Sequence, residues 1–267
     1  MMNSQESLLE AAMEVARLAG GIALRHFQTA LTVEAKADGS PVTVADRAAE
    51  RAARDWIEAR FPHDGILGEE LGTARPDAAR RWILDPIDGT KTFVRGVPLW
   101  GTLVAAVEGE RVVAGAAYFP ALNEMLAAAP GAGCWWNDVR CSVSAVSSVG
   151  EATVLTTDER FPHDAKQRKA WERLTDSALV SRSWGDCYGY LLVATGRAEV
   201  MVDGELSEWD AGPFLPIIEE AGGVLTDWSG RRTPFGGSAI ASNAALASAA
   251  RALLGTNYSA STEPMND

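Results

Sequence analysis

The sequence predicts an α/β fold with two unlike halves, α+β up to about residue 147 and alternating α/β beyond it. Three observations carry this. Apolar residues at Leu8, Ala12, Val15, Ala19, Ile22, Ala23 and Phe27 recur every three or four positions, the spacing of an amphipathic helix. Thr102–Val107 and Val112–Phe119 are apolar runs joined by Glu108-Gly109-Glu110-Arg111, the pattern of a β-hairpin. After Ser147, short apolar runs alternate with longer helical patterns as far as Leu254, so helices are expected to cover a sheet.

The elements follow in chain order. The first helix covers Ser7–Phe27. An extended segment, Thr32–Lys36, leads to a turn at Asp38-Gly39-Ser40-Pro41. A second helix, rich in Ala, Arg and Glu, runs from about Thr43 to Phe61 and is stopped by Pro62. Trp82-Ile83-Leu84 reads as a buried strand because it is short, apolar and leads into Asp-Pro. Met125–Ala129 and Cys134–Asn137 continue the strands after the hairpin. The second half reads as strand Ala152–Thr156, helix Ala165–Ser177, strand Leu179–Ser183, helix Tyr188–Thr195 and strand Glu199–Val202. Helix Trp209–Ala221, strands Val224–Thr226 and Ala239–Ser242, and helix Ala244–Leu254 complete it. Thr256–Asp267 is polar and expected to fray.

A chain of 267 residues fits one large domain or two small ones, and 47% hydrophobic residues suffice for a sizeable core. Global disorder is excluded. The balance of 24 Lys+Arg against 36 Asp+Glu gives a net charge of −12 with no basic patch, so neither nucleic acid nor an anionic membrane is an expected partner. No apolar run approaches a membrane span, and the N-terminus lacks a signal pattern. The three cysteines, Cys134, Cys141 and Cys187, are odd in number and lack metal-type spacing, which argues against a disulfide framework and for the cytoplasm.

Chemistry concentrates in carboxylates. Asp85-Pro86-Ile87-Asp88-Gly89-Thr90 follows the Trp82–Leu84 strand, which puts two carboxylates where open α/β sheets bind ligands. A helix or turn starting near Thr90 would aim free N–H groups at an anion. Gly68-Glu69-Glu70 ends another apolar segment, and Trp209-Asp210 opens an apolar helix. Singly, these read as a turn, a solvated pair and a helix N-cap. Together, Glu69, Asp85, Asp88 and Asp210 would repel one another without cations, and a set of hard oxygen donors without His or Cys suits Mg²⁺, with Mn²⁺ as a substitute. Two such ions can clamp an in-line displacement at phosphorus.

These blocks resemble the inositol monophosphatase family of Mg²⁺-dependent phosphatases. The resemblance rests on Pro41-Val42-Thr43-Val44-Ala45-Asp46, Gly68-Glu69-Glu70, Trp82 to Thr90, and Trp209-Asp210 with Glu220-Ala221-Gly222-Gly223 and Asp227, in family order over about residues 8–254. Departures from the family pattern stand at Lys91-Thr92-Phe93 and Gly212-Pro213. Ser183-Trp184-Gly185-Asp186-Cys187-Tyr188-Gly189-Tyr190 resembles the histidinol-phosphate phosphatase branch. Asp186 suits an ammonium or imidazole better than a neutral polyol, although it also fits a helix N-cap.

The resemblance implies a layered αβαβα sandwich, with an N-terminal subdomain at 1–147, a C-terminal subdomain at 148–255 and a tail at 256–267. It implies two or three Mg²⁺ ions held by Glu69, Asp85, the Ile87 carbonyl, Asp88 and Asp210. It further implies direct hydrolysis by water, which Glu69 and Thr90 position while Asp46 orients Thr90. Gly89 and Thr90 amides would bind phosphate; Gly185, Asp186, Cys187, Asp203 and Asp210 would contact the substrate, a small phosphorylated metabolite. Cys187 reads as a pocket wall and Trp184 as flanking the ligand, while His26, His63 and His163 stand apart from these motifs.

Histidinol phosphate is the expected substrate, with inositol 1-phosphate or another small phosphometabolite as the alternative. Asp85 and Asp88 are three apart, unlike the two-residue spacing of haloacid-dehalogenase-type phosphatases. A catalytically silent binding protein would lack a ligand or the Asp46/Thr90 pair, and all are present. The family habit and the apolar strands around Thr102–Phe119 suggest a homodimer.

Overall fold

A computed structural model describes residues 4–30, 32–35, 41–256 and 258. The turn expected at Asp38–Pro41 lies outside the described residues except for Pro41, and the expected tail does so except for Thr256 and Tyr258. Helix α1 (Ser4–Leu24) buries Leu8, Ala12, Val15, Ala16, Ala19 and Ala23 along one stripe. Strands β1 (Val33–Ala35) and β2 (Pro41–Thr43) form a small antiparallel pair. Helix α2 (Val44–Arg60) is capped by Thr43, whose Oγ1 accepts from Ala45 N at 3.1 Å, and buries Ala45, Ala49, Ala53 and Ile57. Small residues on both stripes let α1 and α2 pack closely together.

Beneath these helices lies an eight-stranded sheet. Its strands are β3 (Gly65–Gly68), β4 (Gly72–Ala74), β5 (Arg80–Asp88), β6 (Gly101–Glu108), β7 (Arg111–Phe119), β8 (Glu124–Ala129), β9 (Gly133–Trp136) and β10 (Val139–Arg140). They stand in the order β10-β9-β8-β7-β6-β5-β3-β4, and a short helix, α3 (Thr90–Phe93), follows β5. The hairpin expected around 102–119 is β6 and β7 at the centre of this sheet. Val104, Ala106, Ala114 and Ala116 face α1 and α2, while Leu103, Ala105, Val107 and Ala117 face the other way. Burial on both faces explains a continuously apolar hairpin. The apolar pattern that suggested a homodimer is therefore accounted for by the core within one chain.

The second half supplies β11 (Thr153–Thr156), α4 (Ala165–Ser177), β12 (Val180–Arg182), α5 (Asp186–Ala194) and β13 (Val200–Asp203). After these come α6 (Glu208–Ala211), α7 (Phe214–Glu220), β14 (Gly223–Thr226), β15 (Ala239–Asn243) and α8 (Ala247–Leu254). Its sheet runs β12-β11-β13-β15-β14. A middle core joins Leu103, Phe119 and Leu126 of the first sheet to Leu155, Met201 and Ala241 of the second through Leu191, Phe214 and Ile218 of α5 and α7. On the far face, Val154, Val202 and Ile240 pack under Trp171 and Leu174 of α4 and Leu254 of α8. The order is α1/α2, sheet, α5/α7, sheet, α4/α8, the αβαβα sandwich expected.

Arg251 of α8 is fully buried and donates to Thr226 Oγ1 (2.9 Å), Ser242 Oγ (2.9 Å) and the Ile240 carbonyl (2.6 Å), pinning α8 to β14 and β15. Burial lowers its pKa to about 10.

Two expectations are corrected here. The single helix at Trp209–Ala221 is two, α6 and α7. Gly212 and Pro213 keep helical torsions, but Pro213 has no N–H to continue the ladder. Gly115 of β7 makes room for that break, since a Cβ there would stand 2.9 Å from Pro213 Cα. The strand at Trp82–Leu84 also runs on through Asp85 to Asp88, with a register shift against β6 between those two aspartates. Among the described residues, no helix is long and apolar enough to cross a membrane.

Candidate active site

Parallel strands assemble the site. In the large sheet β3 and β5 run parallel with Gly68 beside Leu84, so Glu69 and Asp85 emerge together where β3 ends and its pairing with β5 stops. Glu69 N donates to the Leu84 carbonyl at 3.2 Å. Asp85 Oδ1 accepts Ile87 N at 2.9 Å, and Thr102 Oγ1 holds the Pro86 carbonyl at 2.8 Å, which fixes the bulge that presents Asp88. Asp210 arrives from α6, where its Oδ2 accepts Ser207 N at 2.8 Å. It is thus the third residue of a capping box, and Ser207 is the N-cap.

One oxygen each of Asp85, Asp88 and Asp210 lies within 4.8 Å of the others. Burial pushes Asp85 and Asp88 well above the usual carboxylate range. Glu69, Asp88 and Asp210 then act on Asp85, and Asp186 and Asp210 on Asp88. Asp210 is raised to about 7, again chiefly by burial. Carboxylates that disfavour one another's charge, with oxygen donors only, are the donor set that a divalent cation such as Mg²⁺ would neutralise. The residues present fit such an ion.

The second sheet faces this cluster with three parallel strands, β11, β12 and β13, whose carboxyl ends lie at one edge. Thr157 N donates to Asp203 Oδ1 (3.0 Å) and Tyr190 Oη to Asp203 Oδ2 (2.8 Å). Burial lifts Asp203 to about 6. Asp186 is the first residue of α5, with Gly185 as N-cap and a left-handed φ of 49°. Its N–H donates to Thr157 Oγ1 at 2.8 Å and its Oδ2 accepts Thr92 Oγ1 at 3.1 Å. The side chain therefore does not cap the helix. Cys187 N donates to Asp88 Oδ2 at 2.6 Å and ties the start of α5 to the end of β5. Asp88, Asp186, Cys187, Asp203, Glu205 and Asp210 share a cavity of about 180 Å³ with Thr157 and Tyr190. A neighbouring cavity of about 440 Å³ shares Thr157, Asp203 and Glu205 and adds Lys91, Asp158, His163 and Gln167.

Gly89 caps α3 with φ 83°, and a Cβ there would stand 3.1 Å from Asp186 Oδ2, so turn and neighbour both favour glycine. The expected Asp46–Thr90 contact is not formed. Thr90 Oγ1 donates to the Ile87 carbonyl at 3.0 Å, while Asp46 Oδ2 accepts both Thr43 N and Thr43 Oγ1 at 2.7 Å. Asp46 Oδ1 is buried without a hydrogen-bond partner among the described residues. Trp184 is 44% exposed and lines neither cavity. His163, expected to stand apart, lines the larger cavity.

Sequence reasoning also missed Glu50. Buried on α2, it accepts Glu70 N (2.7 Å), Leu71 N (3.1 Å) and Arg54 Nε (2.7 Å), anchoring the loop that carries Glu69. A Cβ on Gly68 would run into its carboxylate. A second acidic residue one turn after Asp46, on the alanine-rich stripe of α2, is the available signal.

Fold and site together define a protein of the αβαβα sandwich class, built around an acidic cluster at the end of β5. The chain belongs to the inositol monophosphatase family, whose model matches residues 4–260. It is 43% identical over 236 residues to a histidinol-phosphatase of Chlorobaculum parvum, covering 88% of this chain and 91% of that one. With a histidinol-phosphatase of Mycobacterium tuberculosis it shares 38% identity over 221 residues, 81% of this chain and 85% of the other. An inositol monophosphatase structure from Zymomonas mobilis superposes with a TM-score of 0.86 at 32% identity, covering 95% of this chain and all (100%) of that one. The chain is accordingly a phosphatase.

Proposed function

We propose that this phosphatase hydrolyses histidinol phosphate in the cytoplasm, using Mg²⁺ held by Asp85, Asp88 and Asp210 with Glu69 and the Ile87 carbonyl beside them. The observation that carries the substrate reading is the cavity next to the cluster. Asp186, Asp203 and Glu205 line it, which suits a leaving alcohol bearing an ammonium and an imidazole better than a neutral polyol. The names of the two relatives agree with it. Bound Mg²⁺ would supply positive charge against the phosphate and make a water more acidic.

The chain's own residues do the rest. Glu69 takes the proton of the attacking water. Thr90 Oγ1, which spends its hydrogen on the Ile87 carbonyl, keeps its lone pairs to accept from that water. Gly89 and Thr90 amides receive the phosphate oxygens. Thr157 and Tyr190 hold Asp203 in place for the alcohol. No phosphoenzyme is needed on this reading, because the nucleophile is the water that Glu69 deprotonates; Cys187, whose thiol burial and Asp88 push up, is a pocket wall and not a competing nucleophile.

Phosphate release from histidinol phosphate and from inositol 1-phosphate, each with Mg²⁺ and with chelator, tests this. A chelator-sensitive preference for histidinol phosphate is expected; a preference for inositol phosphate would overturn the substrate assignment and leave the cluster's role standing. Asp186→Ala should lower kcat/KM for histidinol phosphate by about 10- to 100-fold, the equivalent of a charge-assisted hydrogen bond worth about 1.5–3 kcal/mol. Its effect on p-nitrophenyl phosphate should be much smaller, and equal losses would remove Asp186 from substrate recognition.

A further inference from the structure

Cys134 lies on β9 and Cys141 directly follows β10, one step beyond the Arg140–Trp135 pair. The two cysteines therefore face each other across an antiparallel ladder, and Cys141 N donates to the Cys134 carbonyl at 3.0 Å. A hydrogen-bonded antiparallel pair has Cα atoms about 5.5 Å apart, inside the range of about 4.4–6.8 Å that a disulfide spans. Their Sγ atoms are 3.4 Å apart, and both thiols are free. Neither residue belongs to the carboxylate cluster or lines either of its cavities.

We propose that Cys134 and Cys141 form a reversible disulfide, a modification site closed by a hydroperoxide and opened by a thiol. Cys141 is the attacking sulfur because it is partly exposed, whereas Cys134 is buried. The Cys141 thiolate attacks one peroxide oxygen, breaking the O–O bond and giving a sulfenic acid and hydroxide. The Cys134 sulfur then attacks the Cys141 sulfur, its proton leaves with the hydroxyl as water, and the S–S bond forms. Two thiols lose two electrons and the peroxide gains them. The roles have electrostatic support. The contact with Cys141 and burial push the Cys134 thiol up, while the same contact, aided by Arg197, lowers Cys141.

The site bears on how the two halves join. Cys141 opens the segment that leads from the first sheet to the second. Two residues on, Val143 N donates to the Ala221 carbonyl at the end of α7 at 2.9 Å. Ser142 lies against Gly196, just past the end of α5, where a Cβ would stand 3.1 Å from its carbonyl oxygen. These helices present Asp186 and Cys187 at the start of α5, and Asp210 on α6 just ahead of α7. A disulfide here fastens the first residue of the joint to the sheet it leaves.

Arg140 precedes Cys141, so trypsin separates the two cysteines into Val112–Arg140 and Cys141–Arg160. The full-length protein is treated with stoichiometric hydrogen peroxide, alkylated and digested without reductant. The expected result is one species joining those two peptides, two hydrogen masses below their sum. The free-thiol count should fall from the three cysteines to one, reversed by dithiothreitol, and the oxidised form should melt at higher temperature. In Cys134→Ser the link should vanish and Cys141 should stop at the sulfenic acid, trapped by dimedone, passing to sulfinic acid only with a second equivalent of peroxide. Separate peptides with Cys141 over-oxidised in the unsubstituted protein, or linkage of either cysteine to Cys187, would overturn the proposal.

Discussion

Asp88 accepts a hydrogen bond from Cys187 N, yet its leading charged neighbours are Asp186 and Asp210, so its own charge weakens the fold until a cation is bound. Asp88→Asn keeps the volume and an acceptor oxygen while removing that charge. Turnover with Mg²⁺ should disappear, and in chelator the variant should melt above the unsubstituted protein. Mg²⁺ should raise the melting temperature of the unsubstituted protein alone; an equal rise in both would exclude Asp88 from the ion site. Gly68 makes a different prediction. Gly68→Ala forces the Glu50 carboxylate aside and should cost about 1–3 kcal/mol in denaturant unfolding. An unchanged midpoint would show that Glu50 moves freely, against its three hydrogen bonds. Asp203 sets a pH dependence. Its folded pKa of about 6 lies above the ordinary 3.8, so the folded state binds the extra proton between those values. Stability from this group is greatest below about pH 4 and falls as pH rises through about 6, by at most about 3 kcal/mol. Asp203→Asn should remove that decline from the chelated protein's unfolding free energy; parallel curves for the two would show an ordinary pKa.

At the scale of elements, local signals were legible where local chemistry decides the outcome. Helix α4 begins and ends where its pattern predicts, since Asp164 caps it by accepting Lys166 N at 2.7 Å. The joined α6 and α7 were misread because Gly212-Pro213 sits in an unbroken apolar pattern, and only the missing N–H and the room at Gly115 reveal the break. Strands β2, β4 and β10 are not legible in the sequence because each is two or three residues long and none is a continuous apolar run like Trp82–Leu84. Among the site residues, the acidic motifs were readable in sequence, but their hydrogen-bond partners were not. That Cys187 N meets Asp88, 99 residues away, depends on the start of α5 packing against the end of β5. Arg251 tests how firmly one element is seated. Arg251→Ala leaves buried carbonyls and hydroxyls unpaired around a cavity and should cost about 3 kcal/mol or more, read from denaturant unfolding. A loss below about 1 kcal/mol would mean that packing alone holds α8 in place.

For the whole molecule, ion binding at the proposed site and folding would be one equilibrium, because Asp85, Asp88 and Asp210 come together only when both halves are folded. Such ions would require ionised carboxylates, and burial raises all three, Asp210 to about 7. The increase in melting temperature on adding Mg²⁺ should therefore be small near pH 5.5 and grow towards pH 8, as a thermal scan at matched ionic strength would show. A constant increase across that range would mean that the ion binds away from these carboxylates. The large sheet stops at β10 and β4, of two and three residues, and the smaller one at β12 and β14, of three and four. A second chain laid along any of these borders could gain only a few backbone hydrogen bonds, too few to template growth of a fibril or a continuous intermolecular sheet. Any self-association through the described residues of these two sheets would then rest on side-chain recognition, a contact that substitutions can tune or abolish without touching the strands inside.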